Sequence, residues 1–149
     1  MKLVIQRVKS AVLYADGKFK SEISKGLLVY VGVNTTDTKT EADYLIEKLP
    51  KLRIFEDENG KMNLSVKDIQ GEIMLVSNFT LYAETRGFNR PSFIAAARPE
   101  ISQPLYDYFV EKLSEKVPTK TGVFGANMQI EAHLDGPINI IMEKDSINQ

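Results

Sequence analysis

The amino-acid sequence predicts one compact α/β domain. Its 149 residues suit a single domain of roughly 100–200 residues. They are 43% hydrophobic and 26% charged, close to the average for globular proteins. Two continuous apolar runs, residues 27–33 and 73–76, are typical of strands buried on both faces. A segment with helical apolar spacing follows each run, at 42–49 and 105–113, and strands that alternate with helices indicate an α/β fold.

The first part of the chain predicts a hairpin, a buried strand and a helix. Asp16-Gly17 separates a β-rich opening from residues 18–23, which is a strong hairpin signal. After the first apolar run, Thr38 and Glu41 have the spacing of a capping box and predict the start of a helix. Pro50 is expected to end that helix near Leu49, because proline cannot continue the hydrogen-bond ladder.

The middle of the chain predicts a second strand and helix around an irregular loop. Residues 53–70 contain short β-type pieces and a turn, and the second apolar run follows them. Residues 84–98, with glycine, proline and three arginines, are expected to form a loop. Ser102 is expected to cap the second helix, with Pro104 in its first turn and Pro118 beyond its end. The inward stripe of this helix is predicted to be Leu105, Tyr108, Phe109 and Leu113.

The end of the chain predicts further strands. Residues 128–134 alternate as a strand, residues 135–137 form a turn, and residues 138–142 form the last strand. The predicted order is two strands, two strand–helix units and three closing strands. We expect mixed sheets that form a partly barrel-like layer, with the two helices packed on it.

Composition excludes several kinds of site. The chain has no cysteine, so disulfides, thiolate zinc sites and cysteine nucleophiles are excluded. The chain has one histidine, His133, so it cannot form a multi-histidine metal site by itself. His133 is expected to be an ordinary strand residue. The acidic cluster at 56–58 is expected to be a solvated hairpin end. We therefore expect neither a metal nor a cofactor.

The net charge and the first residues of the chain indicate which partners and which cellular location to expect. Nineteen basic and 20 acidic side chains give a net charge of −1, which argues against a duplex-DNA partner but leaves room for local RNA contact. The first residues have no signal-peptide pattern, and no run reaches the roughly 20 apolar residues of a membrane span. No membrane association and a cytoplasmic location are the expectations.

Two short segments are candidates for function. Residues 77–81, Ser-Asn-Phe-Thr-Leu, lie where a buried strand emerges, and ligands in α/β sheets favour the carboxyl ends of strands. Residues 135–139, Asp-Gly-Pro-Ile-Asn, contain a Gly-Pro pair, a type of bond that is cis in only about 5–6% of cases. Taken alone, each segment could equally be an ordinary strand end or turn.

These segments and several others occur in the order and spacing of one known family. The motifs are Val4-Ile5-Gln6-Arg7-Val8, Leu52-Arg53-Ile54-Phe55-Glu56-Asp57, Ser77-Asn78-Phe79-Thr80-Leu81, Asn89-Arg90-Pro91-Ser92-Phe93, Thr121-Gly122-Val123-Phe124-Gly125-Ala126-Asn127-Met128 and Gly136-Pro137-Ile138. Together they resemble the D-aminoacyl-tRNA deacylases of the D-tyrosyl-tRNA deacylase type. The resemblance runs from Met1 to about Ile141, and residues 1–149 are expected to form one domain of this type.

The resemblance implies a proofreading hydrolase without a cofactor. Such enzymes hydrolyse the ester between a D-amino acid, or glycine mischarged on tRNA-Ala, and the terminal adenosine of tRNA, and they spare L-aminoacyl-tRNA. The 2′-hydroxyl of the tRNA is implied to assist an attacking water. Positioning and backbone N–H groups suffice for an activated ester. We interpret Thr80 as a positioning residue, because a threonine hydroxyl without an adjacent base is a weak nucleophile.

The resemblance also implies a homodimer with shared sites. Gly136-Pro137 is implied to be cis and to project into the partner's pocket, where its carbonyls exclude an L side chain, while Arg7 holds the pair in place. The implied catalytic segment comprises Ser77, Asn78, Phe79 and Thr80. The remaining implied substrate-binding residues are Ile138, Asn139, Phe124, Gly125, Ala126 and Met128.

Three residues depart from the family pattern. Asn78 stands where the family has glutamine, Asn139 where it has threonine, and Phe88 where it usually has glycine. The two asparagines could compensate for each other if their strands are neighbours, as the resemblance suggests. They also motivate an alternative, a catalytically weakened homologue that binds tRNA ends or another partner without turnover. A third hypothesis is an esterase that acts on small free substrates.

The arginines of the 84–98 loop are candidates for RNA contact. Arg86 and Arg90 could bind tRNA phosphates or simply be solvated. For Arg98, next to Pro99, the expectation is a solvated side chain.

Overall fold

The computed structural model describes residues 1–146, which contain eight strands, two α-helices and two short 3₁₀ helices. In chain order the main elements are β1 (Lys2–Ala15), β2 (Lys18–Ile23), β3 (Gly26–Gly32), α1 (Lys39–Lys48), β4 (Phe55–Glu56), β5 (Met62–Leu64), β6 (Glu72–Ser77), α2 (Pro99–Ser114), β7 (Thr119–Thr121) and β8 (Met128–Glu143). The 3₁₀ helices are Leu49–Lys51 and Phe79–Tyr82. Neither α-helix in the described part of the chain is long and apolar enough to cross a membrane.

The long strand β1 organises the sheet. Its first half pairs with β3 and its second half with β2, while β8 pairs along its other edge, all antiparallel. β3, β6 and β7 run parallel. The sheet curls until β7 approaches β2, where the Ser21 hydroxyl donates to the Thr121 carbonyl at 2.7 Å. The predicted α/β fold class, with a mixed, nearly barrel-shaped sheet and two helices, is confirmed.

Two apolar clusters lie on opposite faces of this sheet. Successive side chains of a strand point to opposite faces, so Leu27 and Val29 pack in the cluster that includes the helices, whereas Leu28 packs inside the barrel. On β6, Leu75 and Met74 divide in the same way. This explains the continuous apolar runs of the sequence, because both faces of β3 and β6 are buried.

The local signals of the first hundred residues are confirmed. Asp16 and Gly17 both have positive φ, +49° and +79°, as a tight hairpin turn requires. The Glu41 carboxylate accepts a hydrogen bond from the Thr38 N–H at 2.7 Å, and the Thr38 hydroxyl accepts one from the Thr40 N–H at 3.2 Å. α1 ends at Lys48, and Pro50 lies in the 3₁₀ helix that follows.

The predicted start of α2 is wrong. The helix begins at Pro99 with Arg98 as its N-cap, and Ser102 lies inside it, with its hydroxyl donating to the Arg98 carbonyl at 3.1 Å. Proline suits the first helical position, because its missing N–H has no partner there and its φ is already helical. Pro104 consequently lies within the helix, not in its first turn. Tyr106, absent from the predicted inward stripe, is buried, and its hydroxyl donates to the Leu75 carbonyl at 2.8 Å.

The predicted turn at residues 135–137 is also wrong. β8 is one strand from Met128 to Glu143, and β1 pairs with it on both sides of the Gly-Pro pair. Val8 faces Leu134 and Gln6 faces Asn139, so residues 135–138 lie opposite Arg7 alone and form a bulge. The chain does not reverse there, because the antiparallel ladder with β1 continues beyond the bulge. The sequence predicts a third closing strand without locating it, because the three polar residues of β7 carry no periodicity.

Candidate active site

A cavity of about 600 Å³ lies at the carboxyl ends of β3 and β6. Seven residues proposed for the site from the sequence line it, namely Ser77, Asn78, Phe79, Phe124, Gly125, Ala126 and Met128. Its wall is mostly apolar, with Val31, Val76 and Phe93 among the lining residues. Tyr30, Arg98 and Ser102 also line it, and the sequence proposed none of these three for the site.

Asn78 organises the chain where β6 ends. Its N–H donates to the Val31 carbonyl at 2.8 Å, which fixes it beside β3. Its side-chain oxygen accepts from the Thr80 N–H at 3.1 Å and also from the Thr80 hydroxyl. Asn78 is therefore the N-cap of the 3₁₀ helix Phe79–Tyr82. An asparagine oxygen that accepts a hydrogen bond from the N–H two residues later is a common local turn.

The same arrangement determines which groups of the segment face a substrate. Thr80 is not among the cavity-lining residues, and its hydroxyl proton is directed to an amide oxygen, which is no base. Phe79 lines the cavity and, as the first residue of its helix, has no intrahelical acceptor for its N–H. Phe79 is 56% exposed, and its ring meets the Phe93 ring edge-on, with the two ring centroids 5.1 Å apart. Phe79 therefore brings a backbone N–H without a helical acceptor and an aromatic side chain to the same part of the cavity lining.

The opposite wall is a turn between β7 and β8. The Asp16 N–H donates to the Asn127 carbonyl at 2.9 Å, and the Asn127 N–H donates to the Asp16 carboxylate at 3.3 Å. Gly125 has a φ of +75°, a conformation that glycine adopts without cost. The hairpin turn between β1 and β2 thus holds the cavity-lining residues Phe124 and Ala126 in place.

The cavity wall has little acid–base chemistry. Among its described lining residues, only Tyr30 and Arg98 are ionisable, and burial raises the pKa of the Tyr30 hydroxyl. His133 is exposed on β8, opposite Ser10. No group of three or more histidine, aspartate or glutamate residues within residues 1–146 is arranged to hold a metal ion. The described lining residues thus offer backbone groups and an apolar surface, but no carboxylate or imidazole.

The Gly136–Pro137 peptide bond is cis, as the resemblance implies, and it lies in the bulge of β8. Arg7, only 6% exposed, reaches the bulge, where its Nε donates to the Asp135 carbonyl at 3.2 Å and lies 3.3 Å from the Asp135 carboxylate. Its Nη1 donates to the Ile54 carbonyl at 2.9 Å. The contact between Arg7 and this segment is thus present in the structure.

The bulge does not line the cavity of its own chain. Gly136 is the eighth residue after Met128, which lies at the cavity, and eight steps along an extended strand span about 26 Å. Gly136, Pro137, Ile138 and Asn139 are all absent from the cavity wall.

Asn78 and Asn139 do not compensate for each other within one chain. β6 lies between β3 and β7, whereas β8 pairs with β1. The Asn139 side-chain oxygen accepts a hydrogen bond from Gln6 Nε2 at 3.1 Å. Within one chain the two strands are therefore not neighbours, because the opening strand β1 lies between β8 and the rest of the sheet.

The two candidate RNA-contacting arginines differ in their surroundings. Arg86 makes hydrogen bonds to the Glu84 carboxylate, and these lower the pKa of Glu84 to about 2. Within residues 1–146, Arg90 makes no ion pair. Both are exposed, and neither lines the cavity. Phe88, between them, is 83% exposed.

Known proteins resemble this chain in sequence and fold. The family model described as D-Tyr-tRNA(Tyr) deacylase matches residues 4–143. A solved structure described as "c-Myc DNA Unwinding Element Binding Protein" is 38% identical, with a TM-score of 0.93 over 98% of this chain and 100% of that chain. Another, described as "Structural Analysis of a probable eukaryotic D-amino acid tRNA deacylase", shares the fold at 14% identity, with a TM-score of 0.81 over 96% of this chain and 98% of that chain. Since the family model spans nearly the whole sequence, this chain belongs to the D-Tyr-tRNA(Tyr) deacylase family, hydrolases that act on aminoacyl-tRNA.

Proposed function

We propose that the cavity binds the aminoacylated 3′-terminal adenosine of tRNA and that the protein hydrolyses the ester of D-aminoacyl-tRNA and of glycine mischarged on tRNA-Ala. The observation that carries the proposal is that Phe79, whose N–H has no acceptor within its helix, lines an apolar cavity whose described lining residues include no carboxylate or imidazole. An ester is already activated, so its hydrolysis needs chiefly orientation and stabilisation of the oxyanion.

The proposed reaction uses water, a backbone donor and the substrate itself. Water adds to the ester carbonyl carbon, and the Phe79 N–H stabilises the negative charge that develops on the carbonyl oxygen. The carbon–oxygen bond to the ribose then breaks, and the ribose oxygen leaves with a proton. The neighbouring 2′-hydroxyl of the tRNA assists, because the described lining residues include no carboxylate or imidazole that could act as a general base. Thr80 and Asn78 hold the backbone of Phe79 in position.

The site is proposed to be completed by a second copy of the chain. Arg7 fixes the bulge that carries Gly136-Pro137, and this bulge lies far from the cavity of its own chain. Leu134 and Ile141, which flank it on β8, are 45% and 67% exposed, as expected for a surface that another subunit covers. In a homodimer the bulge would enter the partner's cavity, where its backbone carbonyls would leave no room for an L side chain.

Two experiments test these proposals. The first measures release of D-tyrosine, L-tyrosine and glycine from their charged tRNAs, with glycine carried on tRNA-Ala and enzyme present in catalytic amounts. Release of D-tyrosine and glycine alone supports the proposal. Binding without turnover would instead identify a weakened homologue, and cleavage of simple esters but not of charged tRNA would identify a general esterase.

Binding of duplex DNA is tested in parallel, because the 38% identical protein is described as a DNA-binding protein. It is not expected at a net charge of −1.

The second experiment tests the shared site. A variant with a filled cavity, Ala126→Trp, is mixed with a bulge variant, Gly136→Val, and the subunits are exchanged. Gly136 has a φ of +131°, so valine is strained there. Each variant alone should be inactive, and the mixture should regain activity because one dimer site then has both intact parts. A mixture that stays inactive after verified exchange contradicts the shared site.

A further inference from the structure

We infer that Arg98 binds the phosphate group on the 5′ side of the terminal adenosine and thereby sets the direction in which the tRNA end enters the cavity. The inference rests on the proposed function. It concerns a residue that the sequence pattern left as a solvated side chain and that lies outside the motifs shared with the family.

The backbone of Arg98 is held on both sides. Just before it, the Ala97 N–H donates to the Val33 carbonyl at 2.9 Å. Just after it, α2 begins, and the Arg98 carbonyl accepts from the N–H groups of Ile101 and Ser102, each at 2.9 Å. The exposed Arg98 side chain therefore begins at a fixed point in the cavity lining, whereas Arg86 and Arg90 are not among the lining residues.

Arg98 is also the only formally charged residue among the described residues that line the cavity. It makes no ion pair within residues 1–146, whereas Arg86 is neutralised by Glu84. A planar guanidinium with free donors beside an apolar cavity is suited to phosphate, which it can bind through two parallel hydrogen bonds.

Arg98 and the reactive segment are close to each other. The Asn78 N–H is bonded to the Val31 carbonyl and the Ala97 N–H to the Val33 carbonyl, and these two carbonyl-bearing residues are about 7 Å apart along an extended chain. A nucleotide with its ester near Phe79 would therefore have its own phosphate within reach of the Arg98 side chain.

The charges of the substrate fix the orientation. An aminoacyl ester carries an amino group that is positive when protonated, and the nucleotide carries a negative phosphate. A cation beside the amino group would repel it, so the phosphate end must lie at Arg98 and the aminoacyl end at Phe79. The single charge of the wall thus distinguishes the two ends of the substrate.

The test compares Arg98→Gln with Arg53→Gln, a matched removal of one exposed arginine that is not among the cavity-lining residues. D-tyrosyl-tRNA and D-tyrosyl-adenosine, which lacks the phosphate, serve as substrates. For Arg98→Gln, kcat/KM on the tRNA should fall about 10- to 100-fold, as expected for a lost charge-assisted hydrogen bond, mostly through KM. On the adenosine ester the variant should match the wild type within about twofold, and Arg98→Lys should restore part of the loss because it keeps the charge. Equal losses on both substrates, or no loss on either, would overturn the inference.

A binding measurement separates this inference from the proposed function. Calorimetry with adenosine 5′-monophosphate and with adenosine needs no turnover. The wild type should bind the monophosphate more tightly, and Arg98→Gln should abolish that preference while Arg53→Gln retains it. If the wild type shows no preference, Arg98 does not bind the phosphate, even if the enzyme hydrolyses D-tyrosyl-tRNA. If the preference is present but D-tyrosyl-tRNA is not hydrolysed, the proposed function fails and the phosphate site stands.

Discussion

Replacement of Thr80 by alanine distinguishes a positioning hydroxyl from a nucleophile. In the structure the hydroxyl donates to the Asn78 side-chain oxygen, and the Thr80 N–H donates to the same atom at 3.1 Å. Alanine removes one neutral hydrogen bond and leaves the other. Such a bond contributes about 0.5–1.5 kcal/mol, which corresponds to about a 2- to 13-fold change at 25 °C if all of it acts on the transition state. Removing a true nucleophile costs on the order of 10⁶-fold, so the two hypotheses differ by several orders of magnitude.

The assay is single-turnover release of D-tyrosine from D-tyrosyl-tRNA by Thr80→Ala, with enzyme in excess over tRNA. His133→Asn serves as a control that removes the only imidazole of the chain, and it should behave as the wild type. Thermal unfolding and tRNA affinity are measured alongside. A loss greater than about a thousandfold, with unchanged melting temperature and tRNA affinity, would refute the positioning role.

Three further variants test the supporting structure and the candidate tRNA contacts. Thr38→Ala removes the α1 cap and should lower the free energy of unfolding by about 0.5–2 kcal/mol without altering kcat, as urea unfolding and the deacylation assay can show; an unchanged midpoint would contradict the role of the cap. Arg7→Met removes the guanidinium that joins the bulge to the Ile54 carbonyl. It should lower the free energy of unfolding by about 1.5–3 kcal/mol and abolish most D-tyrosine release. Full activity would mean that the bulge holds its position without Arg7. Neutralising Arg86 and Arg90 together should weaken tRNA binding and flatten its salt dependence, with the larger share from Arg90 because Arg86 is paired with Glu84; an unchanged slope would remove both from the interface.

The elements that could be predicted are those whose signals are local. The turn at Asp16-Gly17 and the capping box at Thr38 each depend on a few consecutive residues, and both are present. The turn predicted at residues 135–137 failed because the direction of the chain there is decided by pairing with β1, about 130 residues earlier in the sequence. Ser102 is a plausible cap by residue type, but Pro99 precedes it and already has the backbone geometry of a first helical turn.

The candidate site could be predicted only in part for a related reason. Residues 77–79 and 124–128 were identified through their motifs, and the fold brings both to one cavity. Arg98 could not be identified in this way, because only the bond between Ala97 and the end of β3 places it at the cavity. The spatial relation of Asn78 to Asn139 was equally beyond local signals, since it depends on which strand lies at which edge of the sheet.

The structure also bears on the alternative of a catalytically weakened homologue, which the departure at Asn78 motivates. The backbone of residue 78 is extended, and its side chain caps the next turn by accepting from the N–H two residues later. This geometry needs the short side chain of asparagine, and asparagine is among the best N-cap residues. Because the capped turn is the one that presents the Phe79 N–H, asparagine at this position stabilises the group that we propose to bind the oxyanion. The departure therefore favours an active enzyme with a differently fixed backbone over an inactive one, and Asn78→Ala should lower kcat more than Thr80→Ala does, because it removes both hydrogen bonds of the cap.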